Sequence, residues 1–197
     1  MEWNKFLARC RYSMPFKRVK KSKKMKKTVL FICALVITAA VNAQTCNENI
    51  TPTTPDGRFY DNGDGTVKDR QTGLIWMRCA LGQSWDGQTC AGNAIKYTWQ
   101  QALQRANNFE YAGSSDWRVS DIKQLKSIIE LACYGPAINL NIFPQTPSSW
   151  FWTASPDANY YYTEAYAWHV RFSNGDYDYS NKSRDNKYVR LVRLDSD

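Results

Sequence analysis

A cationic stretch at residues 17–27 leads into the 12-residue apolar run VLFICALVITAA at 29–40, which ends on the small-residue triplet Val41, Asn42 and Ala43. This is the layout of a secretory signal peptide covering residues 1–43, with cleavage after Ala43. It constrains the fold more than any other stretch, because the chain beyond it is expected to fold where cysteines oxidise. The apolar run falls short of the about 20 residues that span a bilayer as a helix, so no permanent membrane anchor is expected. Met25-Lys26-Lys27 would also begin such a leader, so Met1 and Met25 both stand as start sites. Gln44-Thr45 before Cys46 lacks the small residues of a lipid-attachment signal, and the mature chain is expected to start freely at Gln44.

Removing the leader takes away Cys10 and Cys33 and leaves an even set, Cys46, Cys79, Cys90 and Cys133. Two disulfides are expected, with three formal pairings. Pairing Cys79 with Cys90 closes the short Gly-rich loop CALGQSWDGQTC, leaving Cys46 to tie an N-terminal arm to Cys133. A zinc site is the weaker reading, since CxxC spacing is absent and His169 is the only histidine.

A net charge of +8 invites a nucleic-acid reading until the charge is placed along the chain. Residues 1–43 carry 11 Lys+Arg against Glu2 alone, leaving 15 Lys+Arg against 17 Asp+Glu in the mature part. The basicity belongs to the leader, so no nucleic-acid partner is expected. The 8 Trp, 12 Tyr and 8 Phe point instead to a folded surface offering rigid contact groups.

Residues 44–56 (QTCNENITPTTPD) are polar with two prolines and read as an extended arm pinned by Cys46. Residues 57–194 then form one domain. Turn clusters at 61–65 and 70–73 separate Phe59-Tyr60, Thr66-Val67 and the apolar run 74–77, the pattern of a meander of small strands. Asp61, Asn62, Asp64 and Asp69 serve turn chemistry better than calcium, because Gly63 and Gly65 stand where a calcium loop needs oxygen ligands. Thr98 and Gln101 make a capping box for a helix with Trp99, Ala102, Leu103, Ala106 and Phe109 on its apolar stripe. A second helix is expected to open at Ser120, with Asp121 in its first turn and Ile122, Leu125, Ile128, Ile129 and Ala132 on one face. After Pro136 the chain turns β-like, with SWFWTAS, AYAWHVRF and YVRLVRL as strand candidates. The class is α+β, two helices packed on small antiparallel sheets with a long irregular loop region.

The ordered set FYDNGDGTVKDRQTGLIW (59–76), DWRVSDIKQLKSIIE (116–130), WFWTASP (150–156), AWHVRFSNG (167–175) and KYVRLVR (187–193) resembles the Legionella collagen-like protein C-terminal domain family. The resemblance spans nearly the whole mature chain. It implies a C-type-lectin-like fold displayed outside the cytoplasm and used for adhesion or ligand binding, in some members of sulfated glycans. The chain departs from that family in Val119-Ser120, where a Leu-Pro step is expected, and in lacking a Gly-X-Y stalk. Trimers are implied only with a stalk, so self-association stays open. The calcium-dependent sugar signature of true C-type lectins is also absent, its nearest echo being Ser155-Pro156-Asp157.

Catalysis needs a nucleophile with a base, a metal cluster or apposed carboxylates, and none is suggested locally. Alternation puts Ala167, His169 and Arg171 opposite Trp168, Val170 and Phe172, so His169 reads as a solvent-facing strand residue and the second set as core. No enzyme, cofactor or metal is expected. Residues 157–190 draw 18 of 34 positions from Tyr, Asn, Asp and Ser, a paratope-like mixture of rigid rings and adaptable polar groups. Tyr160, Tyr161, Tyr162, Tyr177 and Tyr179 are the rings expected at the surface. Arg171, Lys182, Arg184, Lys187, Arg190 and Arg193 against Asp176, Asp178 and Asp185 give a local +3 that suits sulfate or carboxylate groups. Arg190 and Arg193, in the closing strand, equally read as structural and paired with acids. The candidate ligand-binding set is Tyr160, Tyr161, Tyr162, Arg171, Asp176, Tyr177, Tyr179, Lys182 and Arg184. The chain is expected to be a secreted, periplasmic or surface-exposed bacterial binding module for a glycan or protein. The alternatives are a retroelement-diversified receptor of the same fold, or an extracytoplasmic enzyme on a sulfatase-modifying-like fold.

Overall fold

Short polar side chains lay down the first three strands of the main sheet. Asp61 Oδ1 accepts from the Gly63 amide, and Asp64 Oδ1 accepts from both the amide and hydroxyl of Thr66. Asp69 turns the chain again by accepting from the Gln71 amide and the Thr72 hydroxyl, while Arg58 grips its carboxylate with two nitrogens. These acids are therefore spent on turns, as the glycine spacing predicts.

The computed structural model describes residues 44–107, 109–157 and 165–195. The expected leader and Tyr160, Tyr161 and Tyr162 lie outside the described residues. In chain order the elements are β1 (Thr45–Cys46), β2 (Phe59–Asp61), β3 (Thr66–Asp69), β4 (Leu74–Met77), β5 (Ser84–Trp85), β6 (Cys90–Ala91), α1 (Trp99–Ala106), β7 (Arg118–Val119) and α2 (Ile122–Ser127). They continue with β8 (Cys133–Tyr134), β9 (Trp150–Pro156), β10 (Tyr166–Arg171), β11 (Tyr177–Asn181) and β12 (Leu191–Leu194). The main sheet runs β2-β3-β4-β12-β7, with the C-terminal strand inserted between β4 and β7. A second sheet runs β11-β10-β9, and β1-β8 and β5-β6 form two short ribbons. Every named strand pair is antiparallel, so the chain is α+β with small antiparallel sheets.

The main sheet is covered on both faces, which explains why β4 reads as an unbroken apolar run. Leu74 and Trp76 join a core with Leu125 and Ile128 from the α2 segment and with Phe143, Phe151 and Phe172. Ile75 and Met77 point the other way, into a core with Ala102 and Ala106 of α1, Trp117 and Trp152. Strand β9 alternates likewise, with Phe151 in the first core and Trp152 in the second.

The α1 capping box forms as expected: Thr98 Oγ1 accepts from the Gln101 amide, and Gln101 Oε1 accepts from the Thr98 amide. Helix α2 starts later than its sequence suggests. Ser120 is fully buried, its carbonyl accepting from the Ala154 amide, so Asp121, in extended conformation, becomes the cap, boxed with Gln124. The helix stops at Ser127, and Ile128, Ile129 and Ala132 are buried from the turns beyond it.

Both disulfides pair as expected, Cys46 with Cys133 and Cys79 with Cys90. The arm is held by more than Cys46. Gln44 Nε2 donates to the Pro136 and Ile138 carbonyls. The Glu130 carboxylate accepts from the amides and hydroxyls of Thr53 and Thr54 and from the Ala132 amide. Among the described residues no helix is long and apolar enough to cross a membrane.

Candidate functional site

Strands β10 and β11 form a hairpin whose turn is closed by the Arg171 amide on the Asp176 carbonyl (2.7 Å) and the Gly175 amide on the Arg171 carbonyl (2.8 Å). Gly175 has φ of +85° and lies so close to Ile129 that a Cβ would clash. The register sets Trp168 opposite Tyr179 and Val170 opposite Tyr177. Because side chains alternate along a strand, Tyr166, Trp168, Val170, Tyr177 and Tyr179 share one face. Val170 reaches the core, whereas Tyr177 and Tyr179 are 51% and 43% exposed.

The outer rings form a connected patch. Tyr166 meets Tyr179 edge-on at 5.7 Å, and Trp168 meets Tyr179 edge-on at 5.7 Å and Tyr177 at 6.1 Å. Lys126 of α2 places its ammonium 3.5 Å from the Tyr177 ring centre. Trp168, expected in the core with Val170 and Phe172, is only half-buried and belongs to this patch. Beyond it the sheet ends, since β11 is the outermost strand.

The remaining candidates do not converge on these rings. Arg171 is exposed on the opposite face, its guanidinium 5.2 Å from the Trp150 ring centre. Asp176 lies in the hairpin turn, its carboxylate accepting from the Asn174 amide group. Lys182 sits over Trp99 at 4.7 Å, and exposed Arg184 lies in the turn after β11, its amide donating to Asn181 Oδ1. The expected local +3 also shrinks as an available charge. Lys187 and Arg190 are buried, and half-buried Arg193 rests 5.6 Å from the Trp117 ring centre. Arg190 is not paired with an acid: among the described residues no carboxylate lies within ion-pair range of it.

His169 is buried, which corrects the solvent-facing expectation. Its ring packs edge-on against Trp150 (4.3 Å) and Trp152 (5.8 Å), and Nε2 lies 2.8 Å from Ser180 Oγ, a partner brought in by the neighbouring strand. Alternation identified the correct side of the strand, but here that side is covered too. Burial first, then the nearby Lys187 charge, pushes the imidazole from 6.5 down to about 4, with Asp178 and Asp185 pulling the other way. A ring that stays neutral at physiological pH and whose Nδ1 has no hydrogen-bonded acid is a packed spacer between two indoles.

Folding stability should register that burial. Between pH 6.5 and 4 the unfolded chain protonates His169 while the folded chain does not, so stability falls as pH drops. From pH 7.5 to 5 the expected loss is about 1–2 kcal/mol after allowance for screening, read as a lower urea midpoint. His169→Gln is expected to flatten that dependence. The lowered carboxyls of Asp69 and Glu130 act mainly as pH falls below their ordinary 3.8 and 4.5, beneath the pH 7.5-to-5 range of this measurement.

The Lcl C-terminal domain model matches residues 65–193. The chain belongs to the Lcl C-terminal domain family. None of the curated proteins compared with it matches. In this Lcl C-terminal domain the matched region runs from the turn before β3 to β12, and so contains both sheets' long strands and the aromatic patch. Tyr166, Trp168 and Lys126 were not among the candidates from sequence. The two rings were visible as a period-two partner of Tyr177 and Tyr179. Lys126 had no local signal, because only the packing of α2 on β10 brings it near.

Proposed function

We propose that this Lcl C-terminal domain is an exported, non-catalytic binding module of C-type-lectin-like fold that recognises a glycan or protein through the Tyr166, Trp168, Tyr177 and Tyr179 face. The observation that carries the reading is the connected exposed patch with a cation at its margin. Singly exposed rings are ordinary on protein surfaces, but a contiguous cluster is what recognition uses. Tyr and Trp give large rigid contact area with a hydrogen-bonding tip, and Lys126 adds a charge for an acidic group on the ligand. Two disulfides are consistent with an oxidising compartment.

The test applies the purified protein to arrays of neutral and acidic glycans and of extracellular proteins, beside a Tyr177→Ala/Tyr179→Ala variant. Both positions are exposed, so circular dichroism and melting should be unchanged. Loss of the two rings is expected to weaken binding at least about tenfold, the scale of interface aromatic anchors. Lys126→Ala is expected to reduce the salt dependence of any acidic ligand. Unchanged affinity in the double variant overturns the assignment.

A further inference from the structure

A separate groove runs along α1 on the side of the domain carrying the β5-β6 ribbon. Its central hollow has a volume of about 580 Å³, in the range of small-molecule sites. It continues at one end into a hollow of about 330 Å³ through Tyr97, Gln104 and Arg105, and at the other into one of about 460 Å³ through Glu110 and Tyr111. The walls of the centre are aromatic: Trp85, Tyr97, Phe109 and Tyr111.

Three of those rings, Trp85, Phe109 and Tyr111, are fixed in advance. Arg78 lies 4.1 Å from the Trp85 ring centre and is itself held by Asp61 and the Asn141 and Ile142 carbonyls. Tyr111 stacks on Phe109, and its hydroxyl lies so close to Gly65 (φ +86°) that no side chain would fit there. Its carbonyl accepts from Trp117 Nε1. Rings held this firmly lose little freedom when a ligand arrives.

The polar groups of the groove are in the opposite condition. Gln104, Arg105, Asn107 and Glu110 make no side-chain hydrogen bond or ion pair within the described residues. By contrast, Gln83, in the same wall, is engaged at both ends of its amide: it accepts from the Ala80 amide and donates to the Gln145 carbonyl. Fixed rings bordered by amides, a guanidinium and a carboxylate, all uncommitted, suit a ligand with flat C–H faces and dense hydroxyls. A purely apolar ligand would make no use of these polar groups. In the central hollow Arg105 and Glu110 cancel in charge, and the one further cation, Lys96 in the smaller hollow, lies 5.1 Å from the Tyr188 ring centre, so a polyanion finds no cluster of cations here.

We propose that this groove is a second binding site, which takes a short run of uncharged pyranose sugars independently of the β10-β11 face. The purified protein is titrated by calorimetry and NMR with cellobiose, maltose, lactose and chitobiose, and with a sulfated disaccharide as the charged probe. At least one neutral disaccharide is expected to bind with Kd on the order of 1 mM. Gln104→Ala/Asn107→Ala is expected to weaken it about tenfold, and Trp85→Phe to weaken it without unfolding the ribbon, whereas Tyr177→Ala/Tyr179→Ala leaves it unchanged. No heat or shift from any neutral sugar up to about 20 mM, where a 1 mM site is saturated, overturns the proposal. So does binding of the sulfated probe alone, or equal affinity in the groove variants. Loss in the tyrosine variant alone would assign the sugar to the other face and also overturn this site.

Discussion

Arg190→Ala is expected to lower folding stability by about 3–5 kcal/mol, the largest loss expected from one substitution in this domain. The side chain has no exposed surface and donates to the Met77 and Arg78 carbonyls and to Thr146 Oγ1. Its guanidinium lies 4.8 Å from the Phe143 ring centre and 6.0 Å from that of Phe151. Burial lowers its pKa to about 9, which leaves it charged at neutral pH. Carbonyl dipoles and ring faces therefore take the place that a carboxylate holds elsewhere. Truncation to Ala opens a cavity and takes the guanidinium away from three buried acceptors at once. Arg190→Met separates the two losses, since it fills most of the space while leaving the carbonyls unpaired, and an intermediate cost of about 2–3 kcal/mol is expected. Urea denaturation of the three proteins checks the order. A Met variant as stable as the parent would show that the acceptors do not need the guanidinium.

Glu130→Ala is expected to cost about 3 kcal/mol and to release the N-terminal arm from the domain body. The carboxylate is buried and accepts from both threonines of the arm and from Ala132, so its removal leaves several amide and hydroxyl donors without a partner. Burial alone raises this carboxyl, but the hydrogen bonds from Ala132, Thr53 and Thr54 together more than offset it and leave the pKa below 4.5. Stability from this group is therefore present near neutrality and lost as pH falls through the lowered value. Hydrogen exchange provides the local readout. The Thr53, Thr54 and Ala132 amides should exchange much faster in the variant, while β4 and β12 amides keep their protection relative to the global unfolding rate. The Cys46–Cys133 bond still tethers the arm, so loss of order at Thr53 and Thr54 without loss of the domain is the diagnostic pattern.

What could be read from sequence was the chemistry that acts over a few residues. The Thr98–Gln101 box, the Asx turns at Asp61 and Asp64, the strand runs they separate and the Cys79–Cys90 loop all involve near neighbours, and the structure contains them. The misplacements share a different cause. Ser120 fails to cap because β9 takes its carbonyl, and His169 is buried because Trp150 and Trp152 cover a face that alternation treats as open; Glu130, for which the sequence offers no reading, meets its threonines across 76 or 77 positions. The site was legible in the same partial way. Tyr177 and Tyr179 stood out by type and spacing, whereas the cations grouped with them by proximity in sequence fall on other faces or inside the core. A tally of charge within a segment says nothing about direction, and a two-residue period reverses direction at every step.

The place of β12 between β4 and β7 has a consequence for how the chain is made. A ribosome works from the amino end, so Leu191–Leu194 is made after every other strand of the main sheet, yet it is the wedge that joins the sheet's halves. Until it arrives, the flank of β4 and that of β7 are bare templates for a stray strand. The main sheet of this domain therefore cannot close before its last strand is made, so the order of synthesis and the order of assembly are tied together at β12.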